Sequence, residues 1–251
     1  MRNLLVKIAY DGSEYHGWQI QQNAMTVQEV FQDSLFRILG EEVDIKACSR
    51  TDTGVHAREF CISFHTNSPI PSERLVPALN HSLPLDLSVS SCNAVPDDFH
   101  ARYSCLGKEY HYQIWNSPIR NPFLRGHALH YWYDLDETLL DSAAKHYIGK
   151  HDFTSLCTQD KRRPGDFTRT VSNASVSRCG DLVVFAVQAD GFLYNMVRIM
   201  LGTLLRVQQG KITADDIPKI LKAKDRSLAG PTAPPWGLYL NKVFYPNWME
   251  H

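Results

Sequence analysis

The chain contains no Cys-x-x-Cys pair and no histidine at metal-ligand spacing from a cysteine. It lacks any apolar run of about 18 residues, the length a bilayer-spanning helix needs. It also lacks a glycine-rich nucleotide loop and a basic excess: 26 Lys and Arg face 27 Asp and Glu. These absences argue against a zinc module, a helical membrane protein and a protein coated in positive charge. They weigh against nucleic-acid binding too, unless the cations are gathered in a local patch. The six cysteines, Cys48, Cys61, Cys92, Cys105, Cys157 and Cys179, are scattered and unpaired in sequence. Such thiols fit buried small hydrophobes in a reducing compartment, so a cytoplasmic location is expected. The start, Met1 to Ile8, is broken by Lys7 and followed by turn residues, which reads as a strand and not as a signal peptide.

What is present is an ordinary globular composition, 43% hydrophobic and 21% charged over 251 residues, enough for one large domain or two modest ones. Asn3 to Tyr10 reads as a strand ended by the turn Asp11-Gly12-Ser13. A helix follows, with Thr26 as N-cap, Glu29 completing a capping box, Val27, Val30, Phe31, Leu35 and Ile38 as its apolar stripe and Gly40 as terminator. Strands are expected at Val43 to Cys48 and Phe60 to His65, a helix at Glu73 to His81 and a strand at Leu87 to Val95. The order is β-α-β-β-α-β. The second half repeats it: a strand at Lys108 to Trp115, a helix at Asp136 to Tyr147, strands at Thr168 to Ser177 and Leu182 to Ala189, a helix at Phe192 to Gln208, an extra helix from Thr213 and a last strand at Gly237 to Phe244. The expectation is an α+β protein of two halves, 1–104 and 105–251, that can join their antiparallel sheets edge to edge and so remove two exposed edges. That arrangement leaves a cleft at the joint.

Four groups of residues could carry chemistry. Asp52 lies in a polar loop between two strands, with Arg50 before it and Gly54 after. Loops held by rigid strands often host catalysis, and the same spacing also suits an Asx-turn in which Asp52 only caps its loop. Asp52-Thr53-Gly54 matches the aspartic-protease triplet as well. That chemistry needs two carboxyls sharing a proton, no second triplet exists in the chain, and a nearby cation lowers a carboxylate pKa by about 1–3. The protease reading would require a homodimer. Lys108-Glu109-Tyr110-His111-Tyr112 puts Tyr110 and Tyr112 on one face of a strand. They serve either core packing or base stacking, the latter worth about 1–3 kcal/mol per base. Arg198 is an isolated cation in an apolar helix, sharing a face with Asn195 and Gly202, and such an arginine usually has an anionic partner. Lys161, Arg162 and Arg163, with Arg169 close behind, form a basic loop suited either to solvent or to phosphate.

Taken together, Tyr10-Asp11-Gly12-Ser13-Glu14-Tyr15-His16-Gly17-Trp18-Gln19, Arg50-Thr51-Asp52-Thr53-Gly54-Val55-His56-Ala57, His100-Ala101-Arg102, Gly149-Lys150-His151-Asp152-Phe153 and Phe192-Leu193-Tyr194-Asn195-Met196-Val197-Arg198 occur in an order that strongly resembles the tRNA pseudouridine synthase A family. The resemblance runs nearly end to end. It implies two ferredoxin-like βαββαβ halves in one extended antiparallel sheet, helices on one face, and an active-site cleft between the halves. It implies a homodimer that needs no metal and no organic cofactor and acts on the anticodon arm of tRNA, positions 38 to 40. It makes Asp52 the catalytic aspartate, with Arg50 displacing the target nucleotide, Tyr110 stacking on the uracil and Arg198 pairing with Asp52. His56, Arg58 and Arg102, in or beside the quoted motifs, join Arg50, Tyr110 and the basic loop as expected RNA contacts. One departure is Ser49, where the family usually has Gly; it leaves open a paralogue specialised for another RNA. A non-catalytic RNA-binding protein is the rival from a different class, and it would not need Asp52.

Overall fold

The computed structural model describes residues 1–159 and 165–246. It is an α+β fold, and among the described residues it has five α-helices and mostly antiparallel strands. The chain divides into two compact units: Met1–Leu106 with the stretch from Tyr239 onward, and Gly107–Leu238.

The first unit is built on β1 (Arg2–Tyr10), where Leu4, Val6, Ile8 and Tyr10 alternate into the core. Helix α1 (Val27–Leu39) starts where its caps require. Thr26 Oγ1 accepts from the Glu29 N–H, and Gly40 closes the helix at φ 70, a left-handed conformation that costs glycine nothing. Val27, Phe31 and Leu35 are its buried stripe, while Val30 and Ile38 are only half-buried. The strand expected at Val43 to Cys48 shrinks to β2 (Lys46–Ala47), and β3 (His56–Thr66) is longer than its alternation suggested. Helix α2 (Ser72–Ser82) and β4 (Leu87–Val95) fall where expected.

The strand order is β4-β1-β3, antiparallel throughout, and β2 pairs antiparallel with β3 through Lys46↔Ser63 and Ala47↔Ile62. That is the ferredoxin-like order. At the start of that β3 edge lies β10 (Leu238–Phe244), which runs parallel to β3 with Tyr239 opposite His56 and Leu240 opposite Ala57.

In the second unit β5 (Gly107–Asn116) pairs antiparallel with β9 (Leu182–Ala189), β9 with β8 (Thr168–Cys179), and β8 with β7 (Gly149–Asp152). A short β6 (Leu129–Tyr131) returns parallel to the end of β5. Neither β6 nor β7 was expected from the sequence. Helix α3 (Glu137–Lys145) is capped by Asp136, whose carboxylate accepts from the Leu139 N–H. Helix α4 (Met196–Gln208) begins four residues later than its apolar run, because Asn195 adopts φ 61 and breaks the helical path. Its core side is Met196, Val197, Met200, Leu201 and Leu204, all buried. Helix α5 (Asp216–Ala223) follows.

Candidate active site

The loop that carries Asp52 is clamped by the turn that follows β1. The Trp18 N–H donates to the Thr51 carbonyl at 3.1 Å and the Gly54 N–H to the Tyr15 carbonyl at 3.2 Å. The loop closes on itself through the Val55 N–H and the Asp52 carbonyl at 3.1 Å. Side chains add to the clamp: the Tyr10 and Thr51 hydroxyls lie 2.8 Å apart, and Trp18 stacks on Phe60 with ring centroids 4.3 Å apart. Two glycines make this approach possible. A Cβ on Gly12 would stand 2.1 Å from the Val55 carbonyl oxygen, and one on Gly17 would stand 2.4 Å from the Thr51 carbonyl oxygen. Gly17 also sits at φ 85. The result is a rigid segment presenting a half-buried carboxylate, with Arg50 exposed beside it.

His56, 1% exposed, anchors the other end of the loop. Its Nδ1 accepts from the Gly12 N–H at 3.0 Å, and an Asp11 carboxylate oxygen lies 3.0 Å from the same nitrogen. Accepting from Gly12 and donating to Asp11 are alternatives for one nitrogen, so the position of the ring proton selects between them. The imidazole stacks on Tyr239 at 4.6 Å and 23°. Arg58, exposed, lays its guanidinium 4.8 Å above the same Tyr239 ring and donates to Asn241 Oδ1 at 3.1 Å. Burial pushes the Tyr239 hydroxyl up to about 12, with Arg58 opposing part of the rise. The structure thus gathers His56 and Arg58 around one aromatic ring supplied by β10. The sequence pointed to neither Tyr239 nor Asn241, because the pairing that brings them there is long-range and parallel. Arg102 stands apart in the same unit, exposed, with its guanidinium 5.8 Å from the Tyr103 ring.

In the second unit Tyr110 is 6% exposed and meets Phe192 edge-on at 4.9 Å. Tyr112, on the same face, is fully buried and donates its hydroxyl to the Pro234 carbonyl at 2.7 Å, which makes it a packing residue. Arg198 is fixed on α4. Its Nε donates to the Ala233 carbonyl at 2.7 Å and its Nη1 to Asn195 Oδ1 at 2.7 Å. The Ala233 N–H returns a bond to the Arg198 carbonyl at 3.1 Å. The helix face shared by Asn195, Arg198 and Gly202 is therefore not bare; the irregular segment around Gly230 to Ala233 runs along it. Arg169 spends its Nη1 on the carbonyls of Asp166 and Thr168. Lys161, Arg162 and Arg163 lie outside the described residues.

Fold and loop define an α+β protein whose candidate chemistry rests on one glycine-clamped carboxylate. The particular family follows from comparison with known proteins: the family model described as tRNA pseudouridine synthase matches residues 7–104 and 143–246, and the chain belongs to that family. It is 46% identical over 245 residues to tRNA pseudouridine synthase A of Thermoanaerobacter sp. (strain X514), covering 98% of this chain and 100% of that one. The same protein of Acetivibrio thermocellus is 44% identical over 245 residues, again 98% and 100% of the two chains. That of Listeria monocytogenes is 45% identical over 240 residues, 95% and 97%.

Proposed function

We propose that this chain isomerises uridine to pseudouridine in tRNA, in the anticodon arm at positions 38 to 40, with Asp52 as the catalytic carboxylate. The observation that carries the proposal is the clamp on Asp52, which presents one carboxylate on a loop that cannot easily yield. The reaction breaks the N1–C1′ glycosidic bond, turns the uracil and joins C5 to C1′, and the C5 proton leaves as N1 regains one. Atoms and oxidation state are conserved, so the chemistry asks only for a carboxylate, a held base and a place for the proton.

The target base must first leave its stack, at a cost of a few kcal/mol. Arg50, exposed beside Asp52, is suited to hold the vacated position. Asp52 acts in its ionised form. It then attacks C1′ or removes a ribose proton to give a glycal. Tyr110 is assigned to stack on the uracil and keep the detached base within reach. Arg198, held by Asn195 and Ala233, is assigned as counter-ion to Asp52, a pairing supported by the family resemblance. The same resemblance supports a homodimer, and the scattered cysteines support a cytoplasmic location.

The test is chemical mapping of pseudouridine in an unmodified tRNA transcript. Asp52→Asn is expected to abolish isomerisation and leave tRNA affinity within about threefold, since an amide keeps the shape and loses the charge. Joint loss of activity and binding would make Asp52 a structural cap. Binding with no pseudouridine from the unaltered protein would favour a non-catalytic RNA-binding protein.

A further inference from the structure

Residues 117–133 hold Arg120, Arg125, His127, His130 and four aromatic side chains without one carboxylate, in a chain that is otherwise slightly acidic. The segment leaves the end of β5, makes a 3-10 turn at Pro122–Leu124 and returns as β6. It is well tied down. Asn116 donates to the carbonyls of Tyr131 at 2.9 Å and Tyr133 at 2.7 Å, and accepts from Arg178 at 2.9 Å. The Trp115 indole donates to the Ile119 carbonyl at 2.8 Å, and a His130 ring nitrogen lies 2.9 Å from the Ser117 carbonyl.

On this ordered frame the large apolar side chains point outward. Phe123 is 91% exposed, Ile119 76%, Tyr133 63% and Trp132 57%. Trp132 lies 5.5 Å from Tyr133 and 5.9 Å from His130, and Tyr133 lies 5.9 Å from Tyr131. Neighbouring large rings held in contact while remaining wet contribute little to folding and usually mark a binding surface. Arg120 and Arg125 are both exposed in the same segment.

We propose that the Trp132–Tyr133 pair, with Arg120 and Arg125, is an RNA-contacting surface on which unpaired bases of the substrate stack while the arginines meet phosphate. Exposed flat rings and two exposed arginines within one segment that itself holds no carboxylate match an unpaired polynucleotide in shape and charge. Arginines among exposed aromatic rings also occur at protein interfaces, so a second copy of the chain is the alternative that the experiment separates. The proposal rests on RNA being the substrate.

The experiment measures binding and turnover of an unmodified, in vitro transcribed tRNA across a salt series, together with molar mass by light scattering. Trp132→Ala with Tyr133→Ala is expected to weaken affinity about tenfold or more, given the usual size of base stacking. It should raise KM and leave kcat at saturation unchanged. Trp132→Phe with Tyr133→Phe should restore affinity. Arg120→Gln with Arg125→Gln should reduce the slope of log affinity against log salt by about 1.5. Unchanged affinity in the alanine pair overturns the proposal. So does a fall in molar mass, which would assign the surface to a second copy of the chain. An unaltered protein that binds the transcript through these rings yet leaves every uridine intact would sink the proposed activity and keep this surface.

Discussion

Gly12 and Gly17 decide where Asp52 can stand. Each lets one backbone approach another more closely than any side chain permits, so the carboxylate's position is set by residues that touch no substrate. Gly12→Ala would drive a methyl group into the Val55 carbonyl. The loop must then shift, and misplacement by about 1 Å can cost about 100-fold in rate. The expected result is a kcat lowered about 100-fold, tRNA affinity retained and a modest loss of Tm, read by kinetics beside a thermal melt. Tyr110 is tested by shape against polarity. Tyr110→Phe should keep stacking and stability, whereas Tyr110→Leu removes the ring and also loosens the contact with Phe192. Equal loss of turnover in both would point to the hydroxyl. At this scale the sequence showed Asp52, Arg50 and His56 through their motif. It did not show Tyr239 or Asn241, because nothing local in a short terminal strand says which residue it will lie against.

Elements with strong local signals were legible. The ends of α1 follow from Thr26 and Gly40, and β4 and β9 lie where their alternation placed them. Elements set by competing signals were not. The apolar run from Phe192 promised a longer α4, but Asn195 in a left-handed conformation starts the helix at Met196 and turns its amide toward Arg198. β2, β6 and β7 are two to four residues long and exist only because a neighbouring strand offers an edge. The contact between α4 and the segment after Ala229 is another long-range feature. A Cβ on Gly202 would stand 1.7 Å from the Pro231 carbonyl oxygen, and the Gly230 N–H donates to Thr203 Oγ1 at 2.9 Å. Gly202→Ala should therefore push this segment off the helix and release the Ala233 carbonyl from Arg198. Loss of activity with a Tm lowered by several degrees is expected, since overpacking costs about 1–3 kcal/mol. A variant with lowered Tm and normal kcat would show that Arg198 does not depend on that carbonyl.

Over the whole molecule the charges nearly cancel, so acid sensitivity must come from individual carboxylates. Burial pushes the Asp141 carboxyl up, but the Val176 N–H and Lys145 outweigh it and hold it below the ordinary range. Asp152 behaves alike, with Lys224 and Thr154 opposing burial. Groups depressed in the folded state add stability that is present above their unfolded pKa, about 4, and is lost as pH falls through the folded value. Both lie in the unit Gly107–Leu238. Melting temperature measured from pH 7 downward should fall below about pH 4, and Asp141→Asn should flatten that fall. An unchanged slope would mean these pairs are too solvent-screened to matter.

The pairing of β10 with β3 also sets an order of events during synthesis. The edge of β3 beside the Asp52 loop receives its Tyr239 neighbour only after the whole of Gly107–Leu238 has been made. At about 5–20 residues per second that is a delay on the order of ten seconds. The unit that leaves the ribosome first is thus the last to be finished, and nascent chains stopped short of Tyr239 would carry the Asp52 loop without the ring that His56 and Arg58 rest on.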